Sequence, residues 1–112
     1  MGAYNIENRW VAPTMKEAYQ DCVADALHYS GHCAYNGTIS TTNGFIDQTK
    51  HFNDLVAGRR KTKKVLTECY NQWESDALDN TNKWEEVWGM EYPWSKATKK
   101  RKEFRFVGWA AC

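Results

Sequence analysis

The sequence lacks long apolar runs, a leader-like start and enzyme motifs. Nowhere do its 112 residues approach the roughly 18 consecutive apolar positions that a membrane-spanning helix needs. Residues 1–9 have neither the basic nor the apolar segment of a secretory signal. We therefore expect a cytoplasmic protein that has no membrane partner.

Catalytic motifs are absent as well. The chain contains no glycine-rich phosphate-binding loop, no G-x-S-x-G turn and no H-E-x-x-H helix. Its three histidines, at positions 28, 32 and 51, belong to no recognisable catalytic set. These absences predict a protein that is not an enzyme, with no catalytic residues and no cofactor.

Four cysteines occur, but none of them forms a C-x-x-C pair. Disulfides are rare in the cytosol, and Cys22 and Cys69 fall on apolar helix faces, where a thiol packs as a small hydrophobic group. The nearest approach to a metal site is the group Cys22, His28, His32 and Cys33. Structural zinc sites use two close pairs of ligands, whereas Cys22 and His28 point in different directions on one helix. We therefore expect no metal site.

What the chain does contain is the composition of one folded domain. Hydrophobic residues make up 42% and charged residues 26%, which is ordinary for a globular protein. The 14% of aromatic residues argues against a disordered chain. A length of 112 residues provides apolar material for one core, so we expect a single small domain over 1–112. The net charge of +1 does not by itself demand a nucleic-acid partner.

The first third predicts a strand followed by a helix. Residues 3–11 have the aromatic and branched residues of a strand. Thr14 and Glu17 then have the spacing of a capping box, and apolar residues follow at steps of three and four. Gly31 provides the stop. The pattern predicts an amphipathic helix over 14–30.

The middle of the chain predicts a hairpin and two helices. The β-branched run 38–42 favours a strand, and Asn43-Gly44 is a strong hairpin-turn signal before a return strand at 45–46. Apolar residues at helical spacing then predict a short helix that ends at Gly58 and a longer helix capped by Thr62.

The last third predicts a β-ribbon. Apolar and polar residues alternate over 84–92 and again over 102–110, with a long basic loop at 93–101. The element order is then β-α-β-β-α-α-β-β. We expect an α+β fold in which the helices pack on one face of a mainly antiparallel sheet.

Charge is zoned along the sequence. Five cations fall within 59–64, seven acidic residues and one lysine within 68–92, and six cations and one acidic residue within 96–105. Such zoning steers a charged partner even when the net charge is near zero. Solvated loops explain the same clusters without any partner. Five of the six tryptophans lie in the second half of the chain, and exposed Trp side chains are frequent anchors of binding surfaces.

Two segments carry a resemblance to known proteins. The run Tyr35-Asn-Gly-Thr-Ile-Ser-Thr-Thr42 and the ending Phe106-Val-Gly-Trp-Ala110 resemble small uncharacterised proteins of bacteriophages and mobile elements. The resemblance implies a short phage-type protein that acts inside a bacterial host. Phage proteins without enzyme motifs often bind and block a defence component, as anti-CRISPR proteins do.

The first functional hypothesis is therefore a non-enzymatic inhibitor that binds a host defence protein, such as a CRISPR or other immune nuclease complex. Its expected contact surface combines the two basic segments with one tryptophan. The residues concerned are Arg59, Arg60, Lys63, Trp94, Lys99, Lys100, Arg101 and Lys102.

Two alternatives stay open at this point. One is direct nucleic-acid binding through the basic clusters 59–64 and 96–105, which predicts a steep dependence of affinity on salt. The other is sequestration of a nucleotide signal in a pocket formed by Tyr35, Asn36 and Thr38, with Arg60 as the phosphate clamp. A homodimer is compatible with each hypothesis.

Overall fold

The computed structural model describes residues 3–30, 38–82, 85–93 and 102–111. Its strands are β1 (Ala3–Ala12), β2 (Phe45–Asp47), β3 (Val87–Glu91) and β4 (Lys102–Ala111). Its α-helices are α1 (Met15–Ser30), α2 (Thr49–Val56) and α3 (Lys63–Asn80), and a short 3-10 helix covers Ile39–Thr41. The predicted α+β class is confirmed.

The local signals for the helices are confirmed. The Thr14 hydroxyl accepts a hydrogen bond from the Glu17 amide at 3.2 Å, just before α1 begins. The Thr62 hydroxyl accepts one from the Val65 amide at 3.2 Å and caps α3. Gly58 has a φ of +77°, the left-handed conformation expected of a glycine after a helix. Gly31, the predicted stop of α1, lies outside the described residues.

The predicted first strand of the hairpin is wrong. Residues 39–41 form the 3-10 helix instead, and the Thr41 and Thr42 hydroxyls donate to the carbonyls three residues earlier, at 2.9 and 2.6 Å. Such side-chain to backbone bonds compete with strand formation. β2 therefore has no partner from 38–42 and instead runs parallel to β3.

The four strands form one sheet in the order β1-β4-β3-β2. β4 pairs antiparallel with both β1 and β3, so the prediction of a mainly antiparallel sheet with a C-terminal ribbon is confirmed. The order of elements has one strand fewer than predicted, because the first half of the expected hairpin is absent.

The helices cover both faces of the sheet, which corrects the prediction that they share one. On one side, the α1 face, helix α1 packs against alternate residues of β3 and β4 such as Val87 and Phe106. On the other side, the α3 face, helices α2 and α3 pack against the intervening residues such as Trp88 and Val107. The α1-face positions of β3 and β4 are mainly apolar, whereas on the α3 face the charged Arg105 is buried beside Val107 and Met90. No described helix is long and apolar enough to cross a membrane.

Trp73 and the two predicted core cysteines are buried. Trp73 is fully buried, and its indole N–H donates to the Gln48 carbonyl at 3.1 Å. Cys22 and Cys69 are both buried and free. Burial raises the pKa of the Cys22 thiol to about 12, so this thiol stays protonated and unreactive at neutral pH.

Candidate binding surface

One stretch of the α3 face is left open between β1 and α3. The strand register places Glu7 opposite Val107 and Arg9 opposite Arg105, so these β1 side chains face the same side as α3. Helices α2 and α3 pack over β3 and β4. The β1 side chains Glu7 and Arg9 stay exposed. A cleft therefore runs along the sheet at this position.

This charged cleft has a volume of about 420 Å³. Strand residues and one flank of α3 form its walls. Its lining consists of Glu7, Arg9, Lys63, Thr67, Tyr70, Asn71, Glu74, Tyr92 and Arg105. A smaller hollow of about 160 Å³ adjoins it and shares Glu7 and Glu74. The volume of the cleft is within the range of small-ligand pockets.

Arg105 forms the floor of the charged cleft. It is buried, and its guanidinium carbon lies 3.5 Å from the centre of the Tyr92 ring and 4.5 Å from that of the Tyr70 ring. Its Nε donates to Glu103 at 2.8 Å. Two aromatic faces and one carboxylate hold the group rigidly. The floor of the cleft is thus a fixed positive charge.

Two carboxyl groups of the cleft are shifted in opposite directions. Burial acts to raise the pKa of Glu7, but the hydrogen bonds and positive charge of Arg9, whose Nε lies 2.7 Å away, hold it below its usual value. Burial and the neighbouring Glu7 charge raise the pKa of Glu74. Arg9 thus compensates the negative charge of Glu7, whereas the charge of Glu74 is poorly compensated.

The Tyr70 hydroxyl is buried at the same place. This oxygen forms no hydrogen bond of ordinary geometry with a described residue, although the Glu7 carboxylate lies nearby. Burial and the nearby Glu7 charge raise the pKa of Tyr70 well above its ordinary value, so the hydroxyl is neutral. A buried hydroxyl without a partner is a costly feature in a folded protein.

The first basic segment joins the charged cleft at its α3 end. We call residues 57–64 the basic junction; they comprise the connection from α2 to α3 and the first two residues of α3. Its cations are Arg59, Arg60, Lys61, Lys63 and Lys64, and all five are exposed. Arg59 donates to Glu68 at 3.0 Å. The other four side chains form no ion pair with a described residue.

The basic junction lies at an electrostatically unfavourable place. Lys63 and Lys64 are the first two residues of α3, and the first turn of this helix contains no acidic residue. A helix N-terminus carries partial positive charge from its unpaired amides and favours anions. Lysines there oppose the fold and reinforce the attraction of the helix end for negative charge.

The structure unites one residue from each predicted basic segment. Lys63 from 59–64 and Arg105 from 96–105 line the same cleft. Lys102, in contrast, places its Nζ 3.0 Å from a Glu91 carboxylate oxygen on the neighbouring strand. The predicted contact residues Trp94, Lys99, Lys100 and Arg101 lie outside the described residues.

The alternative nucleotide pocket is not assembled by the described residues. Thr38 immediately precedes the 3-10 helix, whose Ile39 is buried in the core of the α1 face. Arg60 belongs to the basic junction between α2 and α3, on the opposite side of the sheet. The clamp is thus separated from this part of the predicted pocket. Tyr35 and Asn36 lie outside the described residues.

The metal prediction is tested only in part. In the portion of the chain that the structure describes, no group of three or more His, Cys, Asp or Glu side chains is placed to hold a metal ion. His32 and Cys33 are not included in that portion.

Sequence reasoning missed most of the cleft. Glu7 and Arg9 alternate with apolar strand residues, and Tyr70 and Glu74 are four apart on α3, so each pair could be assigned to one face. The sequence pattern did not reveal the strand order, in which β1 lies beside β4 and therefore faces the flank of α3.

Comparisons with known proteins give no relative. No protein-family model, curated protein or solved structure matches this chain. Any functional conclusion therefore depends on the surface itself.

Proposed function

We propose that this chain is a non-enzymatic binding protein that holds an acidic surface of a partner protein against the basic junction and the adjoining charged cleft. The partner that the phage resemblance implies is a protein of a bacterial defence complex, which the binding would block. The host cytoplasm is the matching location.

One observation carries the proposal: the unpaired cations at the N-terminus of α3. The first turn places Lys63 and Lys64 where the helix dipole repels them, and no described carboxylate compensates either charge. Lys50 in the first turn of α2 is placed similarly, but at α3 two such lysines stand beside the unpaired Arg60 and Lys61, and contact with an anionic partner best accounts for this concentration of charge.

The charged cleft favours a protein over a nucleic acid as that partner. Glu7 and Glu74 line the cleft beside the cations, and carboxylates repel a phosphate backbone. A protein surface offers both charges and can pair with Arg9 and Lys63 on one side and with Glu74 on the other.

The test is affinity capture from a bacterial lysate with two matched variants. K63S/K64S removes two positive charges from the basic junction. K16S/K50S removes the same number from exposed positions on α1 and α2. We expect one stoichiometric protein to be retained by the wild type and by K16S/K50S, and lost with K63S/K64S.

Three results would contradict the proposal. The first is that no stoichiometric protein is retained by the wild type. The second is equal retention by both double variants, which would move the contact away from the basic junction. The third is material that nuclease treatment removes and whose affinity falls steeply with salt, which would establish nucleic-acid binding instead.

A further inference from the structure

β1 is an edge strand of unusual length. In the described part of the chain it pairs with β4 on one side and has no strand on the other. Val11 near its end has another contact, so residues 6–10 are the part of this edge that can take a partner. It covers ten residues, Ala3–Ala12, whereas β2 at the opposite edge covers three. Exposed edges offer unpaired backbone groups to other chains, and proteins usually shorten them or interrupt them with charged residues, lysine above all, or with proline. β1 contains neither lysine nor proline, and its two charged residues, Glu7 and Arg9, are of opposite sign.

The side chains of β1 are complementary to a second copy of themselves. Two residues that pair across antiparallel strands lie on the same face of the sheet. In a pair of identical strands related by a two-fold axis, one residue must therefore pair with its own copy, and the axis lies between those two copies. With the axis at Asn8, Glu7 of each copy lies opposite Arg9 of the other, and Ile6 lies opposite Trp10. Opposite charges and an aliphatic–aromatic pair are both favourable cross-strand neighbours.

The adjacent registers are disfavoured. An axis at Glu7 brings the two Glu7 carboxylates together, and an axis at Arg9 does the same with the two guanidinium groups. Like charges directly opposite one another destabilise a strand pair. Among the three registers centred on residues 7, 8 and 9, the charge pattern of β1 therefore favours the one at Asn8.

The four side chains of this register can exchange their contacts within one chain for contacts with the second copy. Glu7 and Arg9 are exposed and pair with each other along the same strand, at 2.7 Å between Arg9 Nε and Glu7 Oε1. Ile6 and Trp10 are half-buried against the core of the α1 face. In the dimer each Glu7 pairs with Arg9 of the other copy instead of its own, so no charge is left unpaired. Ile6 and Trp10 gain contact area against each other.

We propose that two copies of this chain associate through antiparallel pairing of their β1 strands, centred on Asn8, which joins the two four-stranded sheets into one. The pairing uses the outer edge of β1 and leaves the basic junction free, but it engages Glu7 and Arg9, which also line the charged cleft. It does not depend on the proposed function.

The experiment measures self-association by sedimentation velocity over a range of concentrations. E7R places two arginines opposite each other in both of the central charged pairs, and R9E does the same with two carboxylates. We expect each variant to weaken the dimer by about tenfold or more. The doubly exchanged E7R/R9E restores opposite charges and should recover the affinity.

Mixing the two single variants gives a second, independent readout. The arginine introduced by E7R in one chain then faces the glutamate introduced by R9E in the other. The unchanged Arg9 of the first chain faces the unchanged Glu7 of the second, so both pairs join opposite charges. We expect a mixed dimer that is tighter than either variant alone. Controls with the same charge changes on α2, K50E and D54R, should leave the dimer unchanged.

Hydrogen exchange distinguishes edge pairing from other contacts. Amides in the β1 segment 6–10 should become more protected as concentration rises, while those of β2 should not. A wild type that stays monomeric at the concentrations used for nuclear magnetic resonance overturns the proposal. So does a dimer that E7R and R9E, checked for folding by circular dichroism, leave unaffected.

Discussion

The guanidinium of Arg105 lies 3.5 Å from the centre of the Tyr92 ring, in a strand position where alternation predicts a solvent-exposed cation. Tyr70 covers it from the helix side at 4.5 Å, and Glu103 accepts its Nε–H. A planar, delocalised cation can stack on aromatic rings and bond a carboxylate at the same time. The buried charge is thus part of the packing between β4 and α3.

Replacing Arg105 should destabilise the fold in a graded way. Arg105→Lys keeps the charge and loses the stacked plane, at an expected cost of about 1–2 kcal/mol. Arg105→Met also leaves Glu103 without its partner, at an expected cost of about 2–3 kcal/mol. Urea unfolding measures both, with the exposed Arg9→Lys as the control, for which about 0.5 kcal/mol or less is expected. Equal stability of Arg105→Lys and the wild type would contradict the stacked role.

Arg105 also shows where sequence reasoning reached its limit. Strand alternation correctly separated Phe104 and Phe106 from the neighbouring positions, and it correctly paired the β3 and β4 segments. It assigned the other set to solvent because it assumed helices on one face only. Since α3 covers that face too, the polar residue is buried and needs aromatic and acidic partners.

Local sequence signals predicted the features that depend on residues close in sequence, such as helix caps. They did not predict the features that depend on contacts between distant segments. The cap of α1 at Thr14 and the cap of α3 at Thr62 were readable because cap and amide are three residues apart. The segment 38–42 was misread because β propensity is weak, and its threonine hydroxyls bond locally instead. The charged cleft was missed because it depends on the strand order.

Two tyrosines should respond oppositely to loss of the hydroxyl. The Tyr19 hydroxyl lies 2.6 Å from the Thr42 hydroxyl and accepts a hydrogen bond from the Gly44 amide at 3.0 Å. Tyr19→Phe leaves the Gly44 amide without its acceptor and should cost about 1–2 kcal/mol. The Thr42 hydroxyl keeps its bond to the Ile39 carbonyl. The Tyr70 hydroxyl is buried without a described partner, so Tyr70→Phe should be neutral or stabilising by up to about 1 kcal/mol.

Thermal and urea unfolding of both variants at one pH give the comparison. The two proteins differ from the wild type by the same atom, so the sign of the difference depends on the surroundings alone. A clear loss of stability in Tyr70→Phe would show that its hydroxyl has a partner.

The two carboxyl groups of the charged cleft predict opposite pH effects. The folded-state pKa of Glu74 is raised above its ordinary value of 4.5, with burial as the largest cause, followed by the Glu7 charge. The stability that this group contributes is present below its unfolded pKa and is lost as pH rises through the folded pKa. Glu74→Gln should therefore be more stable than the wild type at neutral pH.

Glu7 provides the matched comparison. Burial raises its pKa, but Arg9 outweighs that effect and holds it below 4.5, so its contribution is present above the unfolded pKa and is lost as pH falls. Glu7→Gln should be less stable than the wild type at neutral pH. Both differences should disappear in acid, where the carboxyl groups are protonated. Unfolding midpoints measured across that range check the prediction, and equal signs for the two variants would contradict it.

The last prediction separates stability from binding at the start of α3. Lys63 and Lys64 oppose the helix dipole and have no described ion-pair partner. Their removal in K63S/K64S should therefore raise the free energy of unfolding by about 0.3–1 kcal/mol. If the basic junction contacts an acidic partner, the same variant should bind more slowly, because positive potential accelerates the encounter.

Urea unfolding and association kinetics with the captured partner measure the two effects on one protein. K16S/K50S removes equal charge from the first turns of α1 and α2, so it should also raise the free energy of unfolding, but it should leave the association rate unchanged. A K63S/K64S variant that loses stability would assign these lysines to the fold and remove the argument for a binding role. Higher stability together with slower association would show that the helix retains its lysines for contact with a partner, at a small cost to the fold.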